Sequence, residues 1–350
     1  MKNFFPILRC ALAFALSLQA PPAAGGDFID PLAQAAVASP LAAHALINGL
    51  ATAGKRLVGA GQRGHIVYSD DQGVSWKQAR VPVSVDLVAL QFPTPRQGWA
   101  VGHDGVVLHT DDGGASWRVQ LDGHAIAAVL LRTYDRDGVD AALRSDAQRM
   151  AAQGADQPLL DVWFDNERSG FVVGAFNLIF HTDDGGASWQ PWIDRSANPK
   201  SYHLNAVRSV GGATYVAGEQ GLLMKLAAGA GRFVALKSPY EGSYFGLLGD
   251  AGALLAYGLR GNAWRSTDGG LSWAKVNTGL QVGLTAGTLL GDDRYALVSQ
   301  GGQVLLSADH GASFYPMPVA APGPVSAVAA VDGALVLGGL RGLRRQPVPQ

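Results

Sequence analysis

Several things are scarce in this chain. Cysteine occurs once in 350 residues, as Cys10, so no internal disulfide can form. Glutamate occurs three times (Glu167, Glu219 and Glu241), and charged residues of all kinds make up 16%. That composition argues against long surface helices. A net charge of -1 supplies no long-range field for nucleic acid or an anionic membrane. The longest apolar run, residues 10–18, is too short to cross a bilayer. The Gly-x-Ser-x-Gly elbow, the His-Glu-x-x-His helix and the phosphate loop are all missing, so the residues assign no catalytic group, metal or cofactor. Glycine (46) and proline (18) are plentiful, and hydrophobic residues reach 48%. This is the composition of many short strands joined by tight turns around an ample core.

The start of the chain reads as a targeting segment. Lys2 and Arg9 precede the apolar run, and small residues follow from Ala20 to Gly26. That order is a secretory signal over residues 1–26, leaving 27–350 as the mature, periplasmic protein. Losing Lys2 and Arg9 takes the net charge from -1 to -3, and Cys10 leaves with them.

Comparing the chain with itself decides the fold. Residues 69–76 (SDDQGVSW) recur as TDDGGASW at 110–117 and 182–189, as STDGGLSW at 266–273, and as SADHGASF at 307–314. The pattern is Ser/Thr-x-Asp-x-Gly-x-x-aromatic, carried by Asp71 and Trp76, Asp112 and Trp117, Asp184 and Trp189, and Asp268 and Trp273. A Gly-x-x-Gly-like marker precedes each box, starting at Gly61, Gly102, Gly174, Gly218, Gly258, Ser299 and Gly339. These starts are 41, 72, 44, 40, 41 and 40 residues apart, so seven units cover the mature chain and one carries an insertion. Each unit has room for four short antiparallel strands, the size of a propeller blade. The predicted fold is therefore all-β, a single seven-bladed β-propeller over 27–350. An insertion at about 122–158, between blades two and three, holds a short helix over 139–151, where Val139, Leu143, Ala147 and Met150 have helical spacing. The last unit lacks a fourth strand, and residues 27–32 are the candidate to supply it.

The boxes are expected to be structural. Aspartate accepts turn N–H groups, glycine permits positive φ, and tryptophan packs between strands. A calcium loop does not fit, because the later ligands and the bidentate glutamate are missing.

The segments GQRGHIVYSDDQGVSW, GWAVGHDGVVLHTDDGGASW, GFVVGAFNLIFHTDDGGASW and AYGLRGNAWRSTDGGLSW resemble the Asp-box (BNR) repeat of sialidases and related propellers. More narrowly, the chain resembles the photosystem II assembly/stability factor family and its bacterial relatives, across all seven units. The resemblance implies an exported, non-catalytic scaffold that binds a membrane-protein partner or its exported segment, itself at most peripheral to the membrane and monomeric. In a non-photosynthetic host it implies a link to a resistance-nodulation-division-type exporter. The other reading is a glycan-acting BNR hydrolase or lectin. Sialidases need a Tyr–Glu pair, and Tyr240-Glu241 is the only adjacent one, while the Phe-Arg-Ile-Pro signature is missing. His109 and His181 occupy equivalent strand positions before two boxes and read as packing residues.

Strand order supplies a binding face. The Gly-x-x-Gly hairpins and the blade-to-blade connections share one end of the ring, and the boxes share the other. Arg63, Arg260 and Arg341 take the same hairpin slot in blades one, five and seven. Asp104 and Gln220 take it in blades two and four, preceded by His103 and Glu219. Arginine's fork suits carboxylates and chain ends, and the resemblance implies the arginine-bearing face as the partner surface. The alternative is that these arginines are solvated or brace neighbouring blades.

Overall fold

The computed structural model describes residues 29–154, 156–291, 293–319 and 323–348. The expected signal segment, 1–26, lies outside them. Seven antiparallel sheets follow one another along the chain, each ordered simply from inner to outer strand. Blade one runs Ile47–Ala53, Arg56–Gly61, Ile66–Ser69 and Lys77–Gln78, and blade two Leu87–Gln91, Gly98–Gly102, Val107–Thr110 and Arg118–Leu121. Blades three to six repeat the plan from inner strands Leu159–Phe164, Leu204–Val210, Tyr244–Gly249 and Leu284–Leu289. The protein is a seven-bladed β-propeller. Its middle strands are buried along their whole length, as at Gly98–Gly102, Gly170–Gly174 and Tyr295–Ser299. A strand covered by blades on both faces must be apolar on both, which is why these stretches do not alternate.

What locks blade to blade is a feature of register. Every inner strand carries a bulge near its start, for example between Ile47 and Gly49 and between Leu204 and Ala206. The bulged residue turns toward the next blade. Asn48 Nδ2 donates to Leu87 O (2.9 Å), Asn205 Nδ2 to Tyr244 O (2.8 Å) and Thr285 Oγ1 to Val325 O (2.7 Å). Ser326 Oγ closes the circle by donating to Ile47 O at 2.6 Å, joining blade seven to blade one. Val88, Leu160 and Phe245 hold the same position in blades two, three and five and cannot donate.

Two expectations need correction. The insertion holds two helices, α1 (Gly123–Tyr134) and α2 (Ala141–Gln153), rather than one over 139–151. Asp122 caps α1 by accepting from Ala125 N (2.8 Å), and Ile126, Leu130 and Tyr134 bury one stripe at four-residue spacing. Tyr134 OH donates to Asp194 Oδ1 (2.6 Å) and Pro191 O (3.1 Å), pinning α1 to blade three. The second correction concerns ring closure. Among the described residues blade seven has three strands, Val325–Val331, Ala334–Gly339 and Gly342–Pro347. Of the stretch 27–32, residues 27 and 28 lie outside the described residues. The rest turns into a 3-10 helix, Pro31–Ala33, because Asp30 Oδ1 accepts from Leu32 N (2.9 Å) and proline stands at its first position.

Candidate binding face and central channel

At the box end all five intact copies have one geometry. Asp112 Oδ1 accepts from Thr110 Oγ1 (2.8 Å) and from the N–H groups of Ala115 and Ser116 (both 2.9 Å), while Oδ2 accepts from Ser116 Oγ (2.6 Å). Asp71, Asp184, Asp268 and Asp309 repeat the bond to the backbone N–H four residues on, at 2.8–2.9 Å. Bonds from the Ser188 and Ser272 hydroxyls, ahead of every other cause, hold Asp184 and Asp268 at about 2. The box aromatic then seals its blade against the preceding one. Trp117 packs with Val58 and Ala60 of blade one, Trp189 with Trp99 and Leu121 of blade two. Both are at most 7% exposed, whereas Trp76 and Trp273 are half-buried. His109 and His181 lie in the same layers, their rings 4.6 Å from Trp99 and 4.4 Å from Phe171. Burial first, with Arg118 second, pushes His109 down to about 4.

The hairpin end is built differently. Five tips hold a non-glycine residue in left-handed backbone: Arg63 (φ 54°), Asp104 (55°), Phe176 (51°), Gln220 (52°) and Arg260 (56°). That conformation costs an L-residue ~1–2 kcal/mol. The neighbouring glycine fixes the shape of the tip. At Gly64 φ is 71°, and a Cβ would stand 2.0 Å from Val83 O on the connection to blade two. Arg341 stands instead in a two-residue turn, where Gly339 pairs with Gly342 and the positive φ falls on Gly342.

Arg63, Arg260 and Arg341 are all exposed, on three separate tips rather than in one cluster. Among the described residues none of their guanidiniums enters an ion pair. Asp86 Oδ1 fixes one tip by accepting from Arg63 N at 2.7 Å. On the neighbouring tip, in blade two, Asp104 feels the charges of Asp30, Asp86 and Asp156. Burial first, then those three carboxylates against the pull of His103, raises it above 3.8. Glu219 is engaged already, since its Oε2 accepts from His203 N (2.9 Å) and lies 3.6 Å from the His203 ring. His103 is exposed and lines the channel mouth. Phe176, 42% exposed over the His203 ring at 4.6 Å, is an apolar tip that sequence reasoning passed over. Helices α1 and α2 sit at this end too, where Gly105 of blade two's hairpin faces Ile126 of α1.

The inner strands enclose a central channel with a cavity of about 520 Å³ toward the hairpin end and one of about 490 Å³ toward the box end. Arg208 borders both. Its guanidinium pairs with Asp161, whose Oδ2 also accepts from Val207 N (2.8 Å), and it lies 5.5 Å from the Trp163 ring. Burial is the largest influence on Asp161 and pushes its carboxyl up from 3.8 against the pull of Arg208. Other blades place glycine or alanine at the Asp161 position (Gly49, Ala89, Ala206, Gly246, Ala286, Ala327), so this pair is particular to blades three and four.

Of the Tyr240-Glu241 pair, Glu241 is exposed and Tyr240 is engaged within the fold. Tyr240 OH donates to Leu259 O (3.2 Å), accepts from Asn262 Nδ2 (3.3 Å), and its ring meets Tyr244 edge-on at 5.7 Å.

These features define an Asp-box propeller with a regular end and a variable end. The family model described as photosynthesis system II assembly factor YCF48 matches residues 53–132 and 141–315, and the chain belongs to that family. The photosystem II assembly lipoprotein Ycf48 of Synechococcus sp. (strain CC9902) is 36% identical over 121 residues, 33% of this chain and 35% of the relative. The match thus spans about a third of that protein's length. Among solved structures, one described as YCF48 bound to D1 peptide aligns with TM-score 0.64 and 15% identity over 92% of this chain and 96% of that one. YCF48 from Cyanidioschyzon merolae aligns with TM-score 0.63 and 16% identity over 88% and 97%. The WD40 propeller domain of Doa1 reaches TM-score 0.63 at 10% identity over 91% and 97%, so likeness at this level speaks for the fold alone.

Proposed function

We propose that the chain is a non-catalytic, exported assembly or scaffold factor that holds an exported segment of a membrane protein on its hairpin face. It acts as a monomer, at most peripheral to the membrane. The observation that carries this reading is the left-handed tips. A glycine at position 63 or 260 would relieve backbone strain, yet an exposed arginine stands at each, and strain kept at an exposed position marks a working surface. Arg63, Arg260 and Arg341 contact an acidic stretch or a chain-terminal carboxylate. His103 and the channel mouth meet the rest of the segment, and Asp104 repels the wrong register. The D1 peptide named with one YCF48 structure is the kind of ligand this arrangement fits. In a host without photosystem II, the partner is a resistance-nodulation-division-type exporter.

The test is capture from detergent-solubilised membranes. The wild-type chain should retain one membrane protein, and the triple Arg63→Ala, Arg260→Ala, Arg341→Ala variant should fold and lose it. Because a charge-assisted contact is worth ~2 kcal/mol or more, binding should weaken with salt. Undiminished capture by the triple variant would refute the reading, and retention on glycan resin would favour the hydrolase or lectin alternative.

A further inference from the structure

Among the described residues, six blades end in a fourth strand and blade seven ends at the third. In blades one, three and four the carbonyls of Ile66, Ile179 and Leu223 accept from Ala79, Trp192 and Leu236 on the way out of the fourth strand. Each acceptor sits opposite the residue before the hairpin glycine, Ala60, Val173 and Ala217. In blade seven that position is Leu343, opposite Gly338. Backbone alternation then turns the polar groups of Leu343 and Arg345 outward, along an edge at which no described strand lies. Two exposed cations line it, Arg341 at the turn and Arg345 on the strand, the latter also donating from its guanidinium to Asp332 O at 3.3 Å.

We propose that this edge, Gly342–Pro347, takes one extended acidic segment of another protein as a fourth strand. Backbone hydrogen bonds would supply the attachment, and the arginines the choice of partner. Two other occupants fit less well. The chain's own N-terminal stretch leaves blade seven where Ala43 and His44 cover Gly342, and runs over blade one through Ala36 N to Val81 O and Ser84 N to Pro31 O. It reaches α1 at Asp30, 3.2 Å from the His124 ring. Residues 1–28 hold a single acid, Asp27, beside Lys2 and Arg9. A second copy paired edge to edge would bring Arg341 and Arg345 close to their own counterparts, which like-charge repulsion opposes. The proposal concerns a surface separate from the hairpin face, with only Arg341 common to both.

The test uses the full chain and a fluorescein-labelled ten-residue peptide of alternating valine and glutamate. Two further peptides carry N-methyl groups on the odd or on the even residues. Only one backbone register faces the edge, so one methylated peptide should bind like the parent and the other about tenfold or more weaker. Arg345→Glu should weaken the parent peptide by a similar factor with little change in melting temperature. Arg63→Ala with Arg260→Ala, which addresses the hairpin face, should leave it unaffected. Hydrogen exchange at the Leu343 and Arg345 amides should be fast in the free protein and slow with peptide bound. Equal binding by both methylated peptides, or no binding of the parent, would overturn the proposal. So would protection of those two amides before any peptide is added, since the edge would then be covered by the chain itself or a second copy.

Discussion

The two ends of this propeller are made by the same repeats, yet only one end repeats its residues. At the box end, five aspartates accept hydrogen bonds from the same relative positions, and each box aromatic closes its blade against the one before. At the hairpin end the backbone repeats while the tip residue changes from Arg63 to Asp104, Phe176, Gln220 and Arg260. Where residue and geometry recur together, the geometry needs the residue. Where only the geometry recurs, the side chain is free to serve something else. The box end is therefore the frame, and in the function proposed above the hairpin end is the surface put to use.

The contrast can be broken most forcefully at the tryptophans. Trp117→Ala or Trp189→Ala removes a plate nearly lost to solvent between two blades, and should cost ~3–5 kcal/mol in denaturant unfolding. The same change at half-buried Trp76 or Trp273 should cost less. Equal small shifts at all four would remove the frame from the account.

Smaller effects test the bonds between and within blades. Ser326→Ala deletes the hydrogen bond that joins blade seven to blade one and should cost ~1 kcal/mol. Asn205→Ala should do the same between blades four and five. Val88→Ala, at the equivalent bulge with no bond to lose, gives the packing-only comparison. The boxes also make an acid-sensitive set. Folded Asp184 and Asp268 titrate at about 2, below the 3.8 of a free carboxylate. Their contribution is therefore full above pH 3.8 and disappears as pH falls through about 2. Acid unfolding followed by circular dichroism should show this loss, and Asp184→Asn should remove part of the pH dependence.

How much of this was legible beforehand follows from what repeats. The seven blades could be read because the box pattern and the hairpin glycines recur in residue type. The ring of bulges could not. A bulge is a matter of strand register, and Val88, Leu160 and Phe245 interrupt the series of Asn48, Asn205, Thr285 and Ser326 that would have disclosed it. The Asp161–Arg208 pair joins residues 47 apart on two blades, and nothing local marks either partner. Helix α1 was readable in part, since Asp122 and the Ile126, Leu130, Tyr134 spacing are its cap and its buried stripe. The charge contrast at the hairpins was visible by alignment. The engagement of Glu219 with His203, and the company Asp104 keeps with Asp30, Asp86 and Asp156, required the fold.

The smallest stability effect is the most telling, because its sign separates frame from surface. Arg63→Gly with Arg260→Gly replaces two left-handed arginines by the residue that adopts that backbone freely. The denaturant midpoint and the capture of the membrane partner should be measured on one preparation of this variant. The midpoint should be unchanged or higher, by up to ~1 kcal/mol per site, and the partner should be lost. A lower midpoint with the partner still captured would contradict this, because the two arginines would then belong to the frame.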